Sequence, residues 1–441
     1  MTAPRYIEND AYEVGGPMHV DTTGSLVFEP QDTAPPDPLR VAERKRLFRS
    51  RFDIYLLLVV GVLLAIGLMM VFSTTFDWSF QVYGDPATIF LRQVRSVGVG
   101  AVIMLLLALI DYRVWRRFAL WMMLVVVALL IALLATAPEL FGAQRAFVNG
   151  SLQPGELAEL VTIIYMAAWL SAKQNRIRRI TYGLIPFSIL VGGVTGLIVL
   201  QPDLSTASLI LMTAGTMFFL AGADWIQMAI TGGLALTAGW MMVSQISYAG
   251  SRLASYLAGV NDLTLASYHV QQAVIAFLNG GLMGVGLGEG RQKFGFLPAP
   301  HTDSIFAIIG EELGLLGCAL VTVLFVVLAV RGFRIAREAP DGFGSLLAAG
   351  LTAWIVLEAL LNIAVMLAVL PFSGVPLPFI SFGGSSLVAS MAGVGLLLSV
   401  SRVTARESGP ERRANADLNL SRGNGGRRVP RVRRSGSTSG R

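Results

Sequence analysis

The sequence predicts an all-α polytopic membrane protein with about ten transmembrane helices and a large extracytoplasmic loop between the seventh and the eighth. Three observations carry that prediction. Of 441 residues, 54% are apolar and only 14% are charged, whereas a soluble domain keeps roughly a quarter of its residues charged. The apolar residues gather in long uncharged runs, most of them close to the ~20 residues a span requires. The lysines and arginines sit in the tails and in short loops between the runs. That distribution speaks against a nucleic-acid-binding surface as the meaning of the net charge of +6.

Taken in order, residues 1–38 are rich in Pro, Gly, Asp and Glu and show no helical period. They read as disordered, with no cleavable leader. A basic cluster follows at Arg40, Arg44, Lys45, Arg46, Arg49 and Arg51, so 1–52 reads as a cytoplasmic tail ending in a juxtamembrane basic segment. The uncharged runs are 54–72, 96–110, 118–137, 160–172, 181–200, 204–223, 225–243, 313–330, 344–370 and 385–400. The second, fourth and tenth are short and are expected to extend into flanking polar residues. This places Glu156 and Glu159 in the outer turns of the fourth helix. The transmembrane domain is set at 53–402. Residues 403–441, rich in Arg, Gly and Ser, read as a second disordered cytoplasmic tail. Cys318 is the only cysteine, which excludes a disulfide framework and a cysteine-rich metal site.

Lysine and arginine set the orientation. With both termini in the cytoplasm, Arg113, Arg116 and Arg117, then Lys173, Arg176, Arg178 and Arg179, then Arg331, Arg334 and Arg337 all fall inside. The segment 273–287 is also uncharged. As a further span it would put the Arg331–Arg337 cluster outside. It also carries Asn279, Gly280, Gly281, Gly284 and Gly286, which suit a re-entrant or interfacial segment. The stretch 244–302 is therefore read as one extracytoplasmic loop. Its glycines follow no strand, so they do not form a nucleotide-binding loop.

Polar residues at membrane depth are functional candidates, and here they gather at the outer helix ends. Gln144, Arg145, Gln153 and Glu156 lie between the third and fourth helices. Gln201 and Asp203 lie between the fifth and sixth. Lys293, His301, Thr302, Asp303, Glu311 and Glu312 lie where the large loop enters the eighth, and Pro376 to Ser386 lie between the ninth and tenth. Helix–helix hydrogen bonding accounts for any one of them as well as a site does, but the set together points to an outer-leaflet site.

These residues carry a resemblance. Gly142-Ala143-Gln144-Arg145, Gln153-Pro154-Gly155-Glu156, Gln201-Pro202-Asp203-Leu204, Phe296-Leu297-Pro298 with His301-Thr302-Asp303, Gly310-Glu311-Glu312-Leu313-Gly314, and Pro376-Leu377-Pro378-Phe379-Ile380-Ser381-Phe382-Gly383-Gly384-Ser385-Ser386 resemble the SEDS family, which includes FtsW, RodA and SpoVE. The Gln292-Lys293 pair leans towards FtsW. The resemblance implies a peptidoglycan glycosyltransferase that polymerises lipid II into nascent glycan at the outer face of the inner (cytoplasmic) membrane. It implies a role in cell division or elongation among divisome or elongasome components, with a class B penicillin-binding protein as partner. It also implies that Asp303 is the essential aspartate. An acceptor hydroxyl needs a base, and a lipid pyrophosphate leaving group needs positive charge more than a proton. On that reading Asp303 is the base. Arg145 and Lys293 are candidate pyrophosphate contacts, with a plain structural role equally open for Lys293; His301 either orients the aspartate or simply packs the loop, and Gln144, Glu156, Thr302 and Ser385 complete the substrate site.

The chain departs from the family pattern at Ala146, Gly155, Glu159, Ala299, Pro300 and Glu358. Glu159 replaces a usual lysine and matters most. Glu156 and Glu159 share a helix face. If that face looks towards Asp303, three carboxylates crowd one site, and a divalent cation (Mg2+ or Mn2+) held by Glu156, Glu159 and Asp303 would neutralise them. Two other readings stand beside the polymerase. One is a lipid II translocase, which calls for charged groups at mid-membrane depth, where Glu358 is the main one. The other is a catalytically weakened scaffold of a cell-wall complex.

Overall fold

The computed structural model describes residues 18–20, 26–28, 52–136, 153–173, 176–245 and 247–407. The segment Met1–Ser50 forms a unit of its own. Its described strands, β1 (Met18–Val20) and β2 (Leu26–Phe28), pair antiparallel with Met18 opposite Phe28. The reading of that tail as disordered predicted no strand, and the rest of it, like 408–441, lies outside the described residues.

The larger unit is helical, and each of the ten apolar runs falls on a helix. These are α1 (Ile54–Tyr83), α2 (Thr88–Leu109), α3 (Arg113–Thr136), α4 (Pro154–Lys173), α5 (Leu184–Val199), α6 (Leu204–Leu220) and α7 (Trp225–Gln245). Then come α8 (Ser247–Asn261), α9 (Tyr268–Gly280) and α10 (Ile305–Glu312), followed by α11 (Gly314–Glu338), α12 (Gly342–Met366) and α13 (Gly384–Glu407). Seven of the described helices, α1 to α4 and α11 to α13, are long and apolar enough to cross a bilayer. The shorter α5 and α6 are apolar throughout, and α7 coincides with the seventh run. The fold is that of a polytopic membrane protein. Large apolar side chains such as Trp121 and Leu236 point outwards, a surface that suits lipid and not water.

Capping explains several boundaries. Asp53 accepts from the Leu56 N–H at the start of α1, Asp203 from Thr206 at the start of α6, and Asp341 from Gly344 at the start of α12. Two of these aspartates, Asp53 and Asp341, also tie helices together at the arginine-rich end of the bundle. Arg331 of α11 reaches Asp53 through Nε at 3.1 Å. Asp341 accepts from Tyr112 at 2.5 Å and from Arg113 at 2.9 Å. Burial opposes ionisation of Asp341, yet these bonds and the Gly344 N–H hold its carboxyl below the usual carboxylate range.

Helix α13 sits at the centre, with 89% of its apolar window buried, against 17% for its partner α2. Their backbones approach closely at glycines. A side chain at Gly395 would meet the Met104 carbonyl at 2.6 Å, and one at Gly100 would meet Met391 Sδ at 2.5 Å.

The segment 273–287 is not a span. Helix α9 has 13 residues, too few to cross a bilayer. It ends in a turn where Gly281, Gly284, Gly286 and Gly288 all take positive φ, a conformation that favours glycine. The turn is strapped to the break between α10 and α11. Val285 and Gly286 donate to the Glu311 and Glu312 carbonyls, and Leu315 and Leu316 donate to the Gly281 and Leu282 carbonyls. Backbone freed by the break is thus paired within the protein. A Cβ at Gly284 would sit 2.2 Å from the Glu312 oxygen, so only glycine permits the approach.

Candidate functional site

Asp303 closes the large loop just before α10, and α12 and the segment before α13 hold its backbone. Asn362 of α12 donates to the Asp303 carbonyl and to the Val375 carbonyl, each at 2.7 Å. Ser381 donates to the Thr302 carbonyl at 2.5 Å and accepts from the Leu377 N–H at 2.8 Å. Phe382 N–H donates to the His301 carbonyl at 2.8 Å. The proline-rich segment before α13 is therefore laced to residues 301–303. The Thr302 hydroxyl lies 3.0 Å from Asp303 Oδ1. Burial raises the Asp303 carboxyl above its ordinary range, while the Thr302 hydroxyl, His269 and Arg252 pull it back.

Three cavities are lined by residues that adjoin Asp303 in the chain or act on it electrostatically. A groove of 650 Å³ runs between the far end of α1 and residues 287–301, lined by Ser73, Asp77, Trp78, Lys293, Pro298 and His301 among others. A second, of 270 Å³, is lined by Ser205, Arg252, Ser373 and Val375. A third, of 230 Å³, is lined by Arg252, Tyr256, His269 and Phe372. The groove's lining includes His301, two positions before Asp303 in the chain, and the smaller cavities share Arg252, which acts on the Asp303 carboxylate electrostatically.

The other sequence candidates divide. Thr302 is in contact with Asp303 through its hydroxyl. His301 is packed, its ring stacked on Trp78 at 4.9 Å and edge-on to Phe382 at 5.7 Å. Burial lowers its pKa to about 4, so it is neutral at pH 7 and positions the loop through packing and its backbone carbonyl. Lys293 is not free to meet a pyrophosphate. Its ammonium has three donors, and they are directed at Glu312 (2.7 Å), the Gly288 carbonyl (2.7 Å) and Ser73 (3.0 Å). Glu312 and Lys293 are almost fully buried. Glu311 accepts from the Arg291 and Gln292 N–H groups. Both glutamates therefore anchor the loop. Gln144 and Arg145 lie outside the described residues.

Glu156 and Glu159 do share a face of α4, but that face looks into the bundle. Glu156 is hydrogen-bonded to Ser385 at the start of α13 and lies near Asp203. Glu159 is buried, accepts from Trp354 Nε1 at 2.9 Å, and has Glu358, Glu156 and Asp203 as its electrostatic neighbours. The crowding of Glu156 and Glu159 onto Asp303 is thus overturned. The groups that act electrostatically on Asp303 are His269 and Arg252. No cluster of three His, Cys, Asp or Glu able to hold a metal ion occurs among the described residues. The reason is geometric: α4 turns these acids towards α12 and α13, while the loop presents Asp303 to α8 and α9.

Sequence reasoning missed His269 and Arg252. A signal existed for Arg252, since an arginine in an otherwise sparsely basic outer loop runs against the orientation rule. His269 gave none, because its meaning depends on the fold bringing it to Asp303.

The family model for the FtsW, RodA and SpoVE type of cell cycle protein matches residues 54–406. The chain is similar to stage V sporulation protein E of Bacillus subtilis, 36% identical over 79% of this chain and 97% of that protein. It is also similar to a probable peptidoglycan glycosyltransferase FtsW of Geobacter metallireducens, 36% identical over 80% and 95%. Among solved structures it resembles a chain of a peptidoglycan synthase complex that coordinates polymerization and crosslinking, at 28% identity and a TM-score of 0.65, covering 80% of this chain and 98% of that one. RodA of Thermus thermophilus follows, at 27% identity and a TM-score of 0.59, covering 80% and 98%.

Proposed function

This chain belongs to the FtsW/RodA/SpoVE family of cell cycle proteins, and from that premise we propose that it is a peptidoglycan glycosyltransferase using Asp303 as its base. The single observation that carries the residue assignment is the setting of Asp303. It is a carboxylate whose backbone is braced by Asn362 and by the segment before α13, with the cationic Arg252 acting on it. Asp303 removes the proton from an acceptor sugar hydroxyl. The oxygen bonds to the anomeric carbon of the donor, and the bond from that carbon to the lipid pyrophosphate breaks with its electron pair leaving on the phosphate oxygen. Arg252, with Arg145 from the second outer loop, supplies positive charge for that leaving group. Lys293, committed to Glu312, braces the groove instead. A divalent cation belongs to the same proposal as a counter-ion carried on the substrate's phosphates.

The substrate of this reading is lipid II and the product is nascent glycan, made at the outer face of the cytoplasmic membrane with both chain ends inside. The similar chain from a peptidoglycan synthase complex supports a class B penicillin-binding protein as partner, within a division or elongation assembly. One assay tests these points together: the purified full chain is given labelled lipid II, with and without that partner and with and without a chelator. Asp303→Asn is expected to lose about 10²–10⁴-fold in polymerisation rate with its thermal midpoint unchanged. Wild-type turnover by the variant would remove the base assignment. Full activity of the chain alone would remove the partner, and full activity in chelator would remove the cation.

A further inference from the structure

We propose that Glu159, Thr162 and Thr213 form a binding site for one alkali cation, sodium or potassium, in a cavity shared by α4, α6 and α12. The site stands apart from Asp303 and does not depend on the glycosyltransferase reading.

A cavity of 10 Å³ lies among the three helices, lined by Glu159 and Thr162 of α4, Thr213 of α6 and Trp354 of α12, with apolar side chains around them. That volume admits about one water-sized particle. The helices cannot slide together to close it, because α12 is already pressed against both neighbours beside it. At Gly350, one turn before Trp354, a Cβ would meet Met217 Sδ at 2.6 Å and Ile163 Cγ2 at 2.9 Å.

The two hydroxyls are the unusual feature. A threonine inside a helix commonly donates to the carbonyl four residues back, as Thr75, Thr195, Thr322 and Thr352 do here at 2.7–2.8 Å. Thr162 and Thr213 do not. They are only 3% and 2% exposed, and neither Oγ1 has a hydrogen-bond partner among the described residues. Both line the cavity that Glu159 lines, yet neither is bonded to its carboxylate. A buried polar atom left unbonded is costly and calls for a reason. Polar groups that share a small space without bonding to one another have the spacing that a particle between them produces.

Charge decides what that particle is. Glu159 is buried and accepts from Trp354 Nε1. Glu156 lies one turn before it on α4, and Glu358 lies one turn after Trp354 on α12. Glu156 and Glu358 each keep a buried Oε2 with no hydrogen-bond partner among the described residues. No ion pair reaches any of these three acids among the described residues. A water would satisfy the two hydroxyls and leave the negative charge in place. Acids at membrane depth are paired or neutralised, and a cation at Glu159 does that while using both hydroxyls as ligands. Every donor is an oxygen, which suits a hard ion. Magnesium keeps several of its waters and calcium takes about six to eight oxygen ligands, more than this cavity admits. A bare alkali ion fits the space and the charge. Bound there, it ties α4 to α6 beside α12.

The test is thermal unfolding of the purified full chain in detergent, titrated at constant ionic strength with sodium chloride or potassium chloride against choline chloride. Choline is too large for the cavity. A ligand that binds only the folded chain raises its midpoint with concentration, so one of the two alkali ions is expected to raise the wild-type midpoint by about 1–3 °C for each tenfold increase above half-saturation. Thr162→Val and Thr213→Val remove the hydroxyls at nearly constant volume. In choline chloride both should unfold at or above the wild-type midpoint, since each loses a buried unbonded hydroxyl, and the response to alkali ions should shrink in each and vanish in the double variant. Glu159→Gln should behave in the same way. Thr322→Val, whose hydroxyl is bonded within its own helix, should keep the full response. Identical wild-type curves in the three salts would overturn the site, because a water or a shared proton then fills its role. An undiminished alkali response in Thr162→Val/Thr213→Val would also overturn it, by placing the ion elsewhere.

Discussion

Glu159 shows at the scale of one residue how a departure from a family pattern changes meaning once its surroundings are known. Read in sequence, a glutamate in place of a lysine near Asp303 suggested retuned catalysis or a metal. In the fold its carboxylate accepts from Trp354 and faces Glu358 inside the bundle, away from Asp303. The expected consequence concerns stability. Glu159→Gln keeps an acceptor for the Trp354 N–H and removes one of the facing carboxylates, so its thermal midpoint should match or exceed wild type. Glu159→Leu leaves that buried N–H without a partner and should cost about 1–3 kcal/mol. Thermal unfolding in detergent would decide it, and equal midpoints for the two variants would mean that the Trp354 bond contributes nothing. Polymerisation should persist in both. Asp303 was legible as a candidate, because its His-Thr-Asp motif at a helix entrance carries the family resemblance. Arg252 and His269 were not, because they come from two other helices and matter only through where those helices pack.

The junction of α9, its glycine turn and α10–α11 is the element on which the site depends. Lys293 and Glu312 close it from either side with Ser73 of α1 between them. Breaking a buried pair leaves an uncompensated charge and costs about 3–5 kcal/mol, whereas replacing both partners with apolar groups is far milder. Lys293→Met should therefore lower the unfolding midpoint strongly, and the double variant Lys293→Met/Glu312→Leu should recover much of the loss. If the double variant is no better than the single, the pair is not what holds the junction. The sequence showed that 273–287 would not span, because its glycines argued for irregular backbone. It did not show where the turn would dock. Docking is decided by backbone bonds from Gly281, Leu282, Val285 and Gly286 to the helix break, and no local pattern encodes those partners.

Across the whole molecule the helices weave so that the arginine-rich turns share one end of the bundle and the Asp303 region lies at the other. Asp53 with Arg331, and Arg113 with Asp341 and Glu407, tie the first end. Asn362, Ser381 and Ser385 organise the second. The orientation rule then predicts that the Asp303 end is extracytoplasmic. Single cysteines at Asn261 and at Arg334, in a Cys318→Ser background, test this with an impermeant thiol reagent on intact spheroplasts. Label is expected at Asn261 only. Label at Arg334 and none at Asn261 would invert the protein.

The sequence by itself determined the class of fold, the positions of the ten apolar helices, the exclusion of 273–287 as a span and the candidacy of Asp303. Each follows from a property carried along a short stretch of chain: hydropathy over a span's length, glycine content, or a motif beside a helix start. Tertiary structure alone decided which acids gather with Glu159, that Lys293 is committed to Glu312, and that Arg252 and His269 face Asp303. Those are matters of which helix faces meet across tens or hundreds of residues. In a bilayer, where apolar faces look alike to lipid and to one another, close packing at glycines and the pairing of buried polar groups make that choice.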